Sequence, residues 1–132
     1  MRTELTALSA GISIDFGGNL AISLRNSGQT KLADFDRWDV IVQYNDDIGN
    51  YYIRWLPYYA EAPASNGWTV HGIYLDAASE APAPFDPGIL NPGEEIVLEA
   101  RLNPAVGTLT TNQVTVSTPN GIPVSVSFSG SD

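Results

Sequence analysis

Apolar and polar positions alternate in short stretches along this chain, and a period of two puts successive side chains on opposite faces of a strand. Leu20, Ile22 and Leu24 point one way and Ala21, Ser23 and Arg25 the other, between Gly17-Gly18-Asn19 and Asn26-Ser27-Gly28. Ile96, Leu98, Ala100 and Leu102 oppose Val97, Glu99 and Arg101, after Asn91-Pro92-Gly93 and before Asn103-Pro104. Near the C-terminus, Val114, Val116 and Thr118 alternate with Gln113, Thr115 and Ser117. Ile122, Val124, Val126 and Phe128 then alternate with Pro123, Ser125, Ser127 and Ser129. Asn120-Gly121 between these two stretches predicts a two-residue type I′ turn, in which both positions need positive φ. Pro123 cannot donate to a ladder and belongs at its strand's start. Further strands are expected at residues 5–14, 38–44, 50–56 and 68–75, and no stretch of twelve residues reads as helix.

The polar run Asn45-Asp46-Asp47-Ile48-Gly49-Asn50 reads as a hairpin loop, with Gly49 supplying positive φ. Residues 76–93 form the longest irregular piece, in which Pro82, Pro84, Pro87 and Pro92 exclude both helix and central strand. This piece is expected to cross from one sheet to the other. Together the pattern predicts an all-β fold, an immunoglobulin-like two-sheet β-sandwich of about eight mostly antiparallel strands. The chain's 132 residues are one domain's worth, so residues 1–132 are read as a single β-sandwich domain.

Charge narrows the partners. Fifteen acidic residues stand against six basic ones, a net charge of −9. Arg2, Arg25, Lys31, Arg37, Arg54 and Arg101 are scattered singly. The basic footprint of a nucleic-acid binder is missing, and so is the polybasic patch that would hold this domain itself against an anionic membrane. There is no cysteine, which excludes disulfides, thiolate metal sites and cysteine nucleophiles. No apolar run approaches the roughly 18 residues of a membrane span, and Met1-Arg2-Thr3-Glu4-Leu5 lacks the apolar core of a signal peptide.

Catalytic constellations are hard to find. His71 is the only histidine, and Trp68-Thr69-Val70-His71-Gly72-Ile73-Tyr74 around it reads as strand, so it is expected to be a surface or hydrogen-bonded sheet residue. There is no G-x-S-x-G elbow, P-loop, dinucleotide fingerprint or H-E-x-x-H. Asp34, Asp36 and Asp39, followed by Asp46 and Asp47, raise the question of calcium, but they lack the EF-hand spacing and enclose Arg37. The plainer expectation is that Asp34 caps a turn, Asp36 pairs with an arginine and Asp39 faces solvent. Glu94-Glu95 is expected to be a solvated strand entrance, because adjacent strand side chains point to opposite faces and make no glycosidase pair. No cofactor or metal is expected, and the chain is not read as an enzyme.

Aromatic residues are dense in the middle third: Trp38, Tyr44, Tyr51, Tyr52, Trp55, Tyr58, Tyr59, Trp68 and Tyr74. Tyr51, Ile53 and Trp55 share one strand face while Tyr52, Arg54 and Leu56 share the other, and both faces cannot be core. Some of this surface is therefore exposed. Tyr51, Trp55, Tyr58, Tyr59, Trp68 and Tyr74 are the candidate partner-binding residues, since exposed Tyr and Trp combine large apolar area with a hydrogen-bonding tip.

Leu24-Arg25-Asn26-Ser27-Gly28 and Leu90-Asn91-Pro92-Gly93-Glu94-Glu95 resemble the asparagine-glycine and proline-glycine-glutamate turns of extracellular immunoglobulin-like modules. Residues 33–44, Ala-Asp-Phe-Asp-Arg-Trp-Asp-Val-Ile-Val-Gln-Tyr, together with residues 88–94, are similar to the soluble head domains of archaellin-like and type IV pilin-like surface proteins, including the FlaF and FlaG accessory group. This resemblance implies no active site. It implies a head at the cell-envelope exterior that works by contact with itself, a surface layer or a filament component, anchored through a hydrophobic helix that this chain does not contain. The expected function is thus a non-enzymatic filament- or archaellum-associated head. The alternative is a carbohydrate-binding module stacking Trp55, Tyr58, Tyr59 or Trp68 on sugar rings, followed by a calcium-dependent adhesive module built on the aspartates.

Overall fold

Each expected strand forms. The computed structural model describes residues 4–13, 19–60, 63, 65–76, 81–82, 89–103, 105–107, 110–119 and 121–129. Its strands are β1 (Leu5–Ser13), β2 (Asn19–Asn26), β3 (Asp39–Asn45), β4 (Tyr51–Leu56), β5 (Gly67–Asp76), β6 (Ala81–Pro82), β7 (Glu95–Arg101), β8 (Thr111–Ser117) and β9 (Pro123–Ser129). A 3-10 turn at Phe35–Arg37 precedes β3. One sheet has the order β1-β2-β7-β5-β6 and the other β4-β3-β8-β9, with all neighbours antiparallel. With the two-residue β6 set aside, this is the immunoglobulin order, ABED against C′CFG.

The alternation explains why the sheets stack. Leu20, Ile22 and Leu24 of β2 and Ile96, Leu98 and Ala100 of β7 are fully buried, as are Val40, Val42 and Tyr44 of β3 and Val114 of β8. Trp38, Leu56 and Trp68 join the same core. Removing one such aliphatic side chain from water contributes about 1.5–3 kcal/mol. β1 packs along β9 and closes one side of the sandwich.

Three local expectations need correction. Residues 76–93 do not lead from sheet to sheet, because β5, β6 and β7 all belong to the same sheet, with β6 and β7 on opposite sides of β5. The crossings occur instead between β2 and β3, β4 and β5, and β7 and β8. The β8–β9 connection is a three-residue loop rather than a two-residue type I′ turn. Thr118 N–H bonds to Ile122 C=O at 3.1 Å and Gly121 N–H to Thr118 C=O at 2.9 Å, with Gly121 at φ 84°. Asn120 itself lies outside the described residues. Glu94 and Glu95 are buried rather than solvated. Glu94 Oε1 accepts the Asn91 N–H at 2.7 Å, and Glu95 pairs with Arg25 across the β2–β7 ladder at 2.9 Å.

The two turn motifs around Asn26 and Gly93 form one knot. Asn26 donates its N–H to Glu94 C=O and accepts the Gly93 N–H, while its buried side-chain amide reaches the carbonyls of Thr30 and Leu90. Leu32 and Leu90 bridge beside it. This ties the exit of β2 to the entrance of β7.

Candidate contact surface on the β3–β4 hairpin

β3 buries Val40, Val42 and Tyr44 and turns Ile41 and Gln43 outward, so β4, paired to it at the sheet edge, inherits an inner and an outer face. The inner face is locked. Tyr52 stacks on Tyr44 with centroids 5.1 Å apart, and the Arg54 guanidinium lies 4.7 Å over the Tyr52 ring with Nε donating to the Tyr44 hydroxyl. Leu56 is fully buried.

One carboxylate holds the loop. Asp46 Oδ1 accepts the N–H groups of Ile48 and Asn50, and Oδ2 accepts the Asn50 side-chain amide and the Tyr52 hydroxyl. Burial pushes the Asp46 pKa up, but these four hydrogen bonds outweigh it and hold the carboxyl below its ordinary range. The same Tyr52–Asp46 bond, with burial and the nearby negative charge behind it, pushes the Tyr52 phenol up. Gly107 closes the base: its N–H bonds to Asn45 C=O, and a Cβ there would lie 2.5 Å from the Asp46 carbonyl oxygen.

The outer face of β4 is apolar and open. Tyr51 is 57% exposed, Ile53 63% and Trp55 59%, and Ile48 at the hairpin tip reaches 83%. Trp55 is also oriented, because its Nε1 donates to Asp39 Oδ1 at 2.9 Å. Of the seven large hydrophobics exposed among the described residues, five lie between positions 48 and 59. A stripe so concentrated differs from the scattered apolar exposure of an ordinary monomer.

The six sequence-selected aromatics separate here. Tyr51 and Trp55 lie on the stripe, and Tyr59, 37% exposed, follows in the segment that pairs with Trp68. Tyr58 is half-buried, edge-on to Trp68 at 5.0 Å. Trp68 has no exposed surface; it belongs to the core and offers nothing to a partner or a sugar. Tyr74 stands on the other sheet, its ring folded over Gly72 where a Cβ would meet the hydroxyl at 2.5 Å. Sequence reasoning missed Ile53 and Ile48. The parity shared with Tyr51 and Trp55 pointed to Ile53, and a lone apolar residue in a polar loop pointed to Ile48.

The aspartates do not converge: Asp39 holds Trp55, Asp46 holds its own loop, and Asp34 enters the 3-10 turn in the left-handed region without a side-chain cap. Among the described residues no group of three or more His, Asp or Glu could hold a metal ion. His71 is exposed on β5. On the outer face beside the stripe, a shallow depression of about 180 Å³ is lined by Gln43, Tyr51, Thr111, Gln113 and Ser127, with buried Asn112 beneath.

No family profile and no curated protein matches this chain. Solved structures do. The chain is similar to the archaellum periplasmic stator protein FlaG from Sulfolobus acidocaldarius at 20% identity and a TM-score of 0.66, covering 96% of this chain and 100% of that one. A chain of the FlaF and FlaG stator complex from the same organism aligns at 19% identity and a TM-score of 0.60, covering 97% and 90%. The archaeal flagellin FlaB1 from Methanocaldococcus jannaschii aligns at 16% identity and a TM-score of 0.68, covering 98% and 91%. The fold is thus the archaellin-like sandwich expected from the sequence.

Proposed function

We propose that this chain is a non-enzymatic exterior head of an archaellum- or pilus-type surface assembly, working by protein–protein contact through the outer face of the β3–β4 hairpin. The apolar stripe from Ile48 to Trp55 carries the proposal, because a hairpin this firmly braced on its inner face presents the stripe as a fixed surface. The similar solved structures, a stator protein, a stator complex and a flagellin, support the class of assembly. An envelope-exterior location and anchoring through a segment outside this chain belong to the same reading.

The test is co-sedimentation of the purified chain with isolated surface filaments and surface-layer sheets, alongside sedimentation velocity of the chain alone. Trp55→Ala is expected to weaken association by more than about 1 kcal/mol. Association unaffected by Trp55→Ala would overturn the reading. Sugar binding is the second reading, and the depression beside Tyr51, an aromatic wall with uncharged amides and hydroxyls, is what favours it. A saturable change in tryptophan emission with soluble polysaccharide, without any protein association, would move that reading to the front.

A further inference from the structure

Four strands form the edges of the two sheets, and three of them are blunted. β1 carries a register shift between Ala7 and Ser9 and packs along β9. β9 begins at Pro123 and turns Ser125, Ser127 and Ser129 outward. β6 has two residues, one of them Pro82, which lacks an N–H. Bulges, prolines and short lengths are how folds keep edge strands from pairing with other chains. β4 shows no bulge, no proline and no short length. Its one charged side chain, Arg54, is folded back over Tyr52 and bonded to Tyr44.

The ladder identifies which backbone groups of β4 face outward. Asp46 N–H bonds to Asn50 C=O, so the two-residue alternation of an antiparallel pair turns the N–H and C=O of residues 52, 54 and 56 toward β3. Those of Tyr51, Ile53 and Trp55 therefore face the open edge. Beyond the strand the same parity holds: Pro57 C=O accepts the Trp68 N–H and Tyr59 N–H donates to Trp68 C=O. This line of backbone groups thus already accepts a parallel segment at its far end. The residues whose backbone is open are also those whose side chains form the apolar stripe.

We infer that β4 receives an extended segment of a partner protein as an added strand along residues 51–55. That segment has apolar side chains at alternate positions, lying against Tyr51, Ile53 and Trp55, and Lys or Arg at its ends. The inference rests on the contact reading above and adds the mode of contact and the chemistry of the partner. Charge selects the occupant. Asp46 and Asp47 stand at one end of the edge and Asp39 at the other, on a chain of net charge −9. A second copy would bring acid ends against acid ends whether it paired parallel or antiparallel, whereas a basic-flanked strand meets complementary charge at both ends.

The probe is a synthetic peptide of alternating Val and Thr with Lys-Lys at each end, compared with a counterpart ending in Glu-Glu and with the basic peptide N-methylated throughout its Val-Thr run. The basic peptide is expected to slow amide exchange at Tyr51, Ile53 and Trp55 and to bind at least about tenfold tighter than the acidic one. N-methylation, which removes donors without touching the protein, is expected to abolish binding. Ile53→Pro, which removes an outward N–H on a sheet edge, is expected to do the same. Ile53→Thr retains exchange protection with weaker affinity. Equal binding of methylated and unmethylated peptides, or of acidic and basic ones, overturns the inference. So does dimerisation of the chain with protection of the same three amides. If Trp55→Ala still releases filaments or surface-layer sheets while the peptides leave the amides unprotected, the contact reading stands and the strand-addition inference falls; if neither responds, both fall.

Discussion

The β3–β4 and β8–β9 hairpins stand at opposite edges of one sheet and turn through the same loop. In the first, Asp46 N–H bonds to Asn50 C=O and Gly49 N–H to Asp46 C=O; in the second, Thr118 N–H bonds to Ile122 C=O and Gly121 N–H to Thr118 C=O. The glycines have φ of 87° and 84°, and each loop's first side chain accepts the fifth residue's N–H, through Asp46 Oδ1 or Thr118 Oγ1. Inward, both hairpins feed the core, through Leu56 and Phe128 among others. Outward they diverge: Tyr51, Ile53 and Trp55 on β4 answer to Ser125, Ser127 and Ser129 on β9. The sandwich needs only the inner pattern. Nothing in packing requires an apolar outer face on β4, and that surplus is what the contact proposal rests on.

If the inner faces are equivalent, truncating either is costly. Leu56→Ala is expected to destabilise by about 2–5 kcal/mol and Phe128→Ala by about 3–5 kcal/mol in urea unfolding. A loss below about 1 kcal/mol at Leu56 would mean that β4 is laid on the core rather than built into it. The loops carry a smaller effect. At both Gly49 and Gly121 an added Cβ meets no atom, so Gly→Ala at each tests backbone conformation alone. Both substitutions are expected to cost about 1–2 kcal/mol, measured in the same unfolding experiment. Unequal costs would show that the two loops share bonds without sharing strain.

The strands were legible because alternation is local, and strand edges followed the Gly, Pro and Asn punctuation closely. What the sequence hides is who faces whom. Glu95 reads as solvated until its partner, Arg25, is seen across the ladder from another part of the chain. Asn26 and Gly93 each announce a turn, but their mutual hydrogen bonds are non-local. Trp55 and Trp68 look alike along the chain. One lies on the outer face of an edge strand, while the other sits opposite Ala100 with Tyr58 against it, a distinction set by sheet order alone. Ile53 was the legible omission, since parity had already grouped it with Tyr51 and Trp55.

Acid should separate the two hairpins, by the smallest of these effects. Asp46 has its pKa lowered in the fold by hydrogen bonds that win over burial, so its contribution is complete above the ordinary carboxylate pKa and is lost as pH falls through the lowered value. Thr118, in the same position of the other loop, has no charge to lose. Amide exchange protection at Ile48 and Asn50 is therefore expected to fall relative to Ile122 once the pH drops below the ordinary carboxylate range, and Asp46→Asn should remove that pH dependence. At the alkaline end the sign reverses. Tyr52, its pKa raised by donating to Asp46, by burial and by the charge beside it, supports the hairpin below the ordinary phenol value and releases it as pH rises through the raised one. Parallel loss of protection in both hairpins under acid would show that Asp46 is not what braces the loop. The Tyr51 to Trp55 stripe would then owe its fixed orientation to the Tyr44–Tyr52–Arg54 stack beneath it.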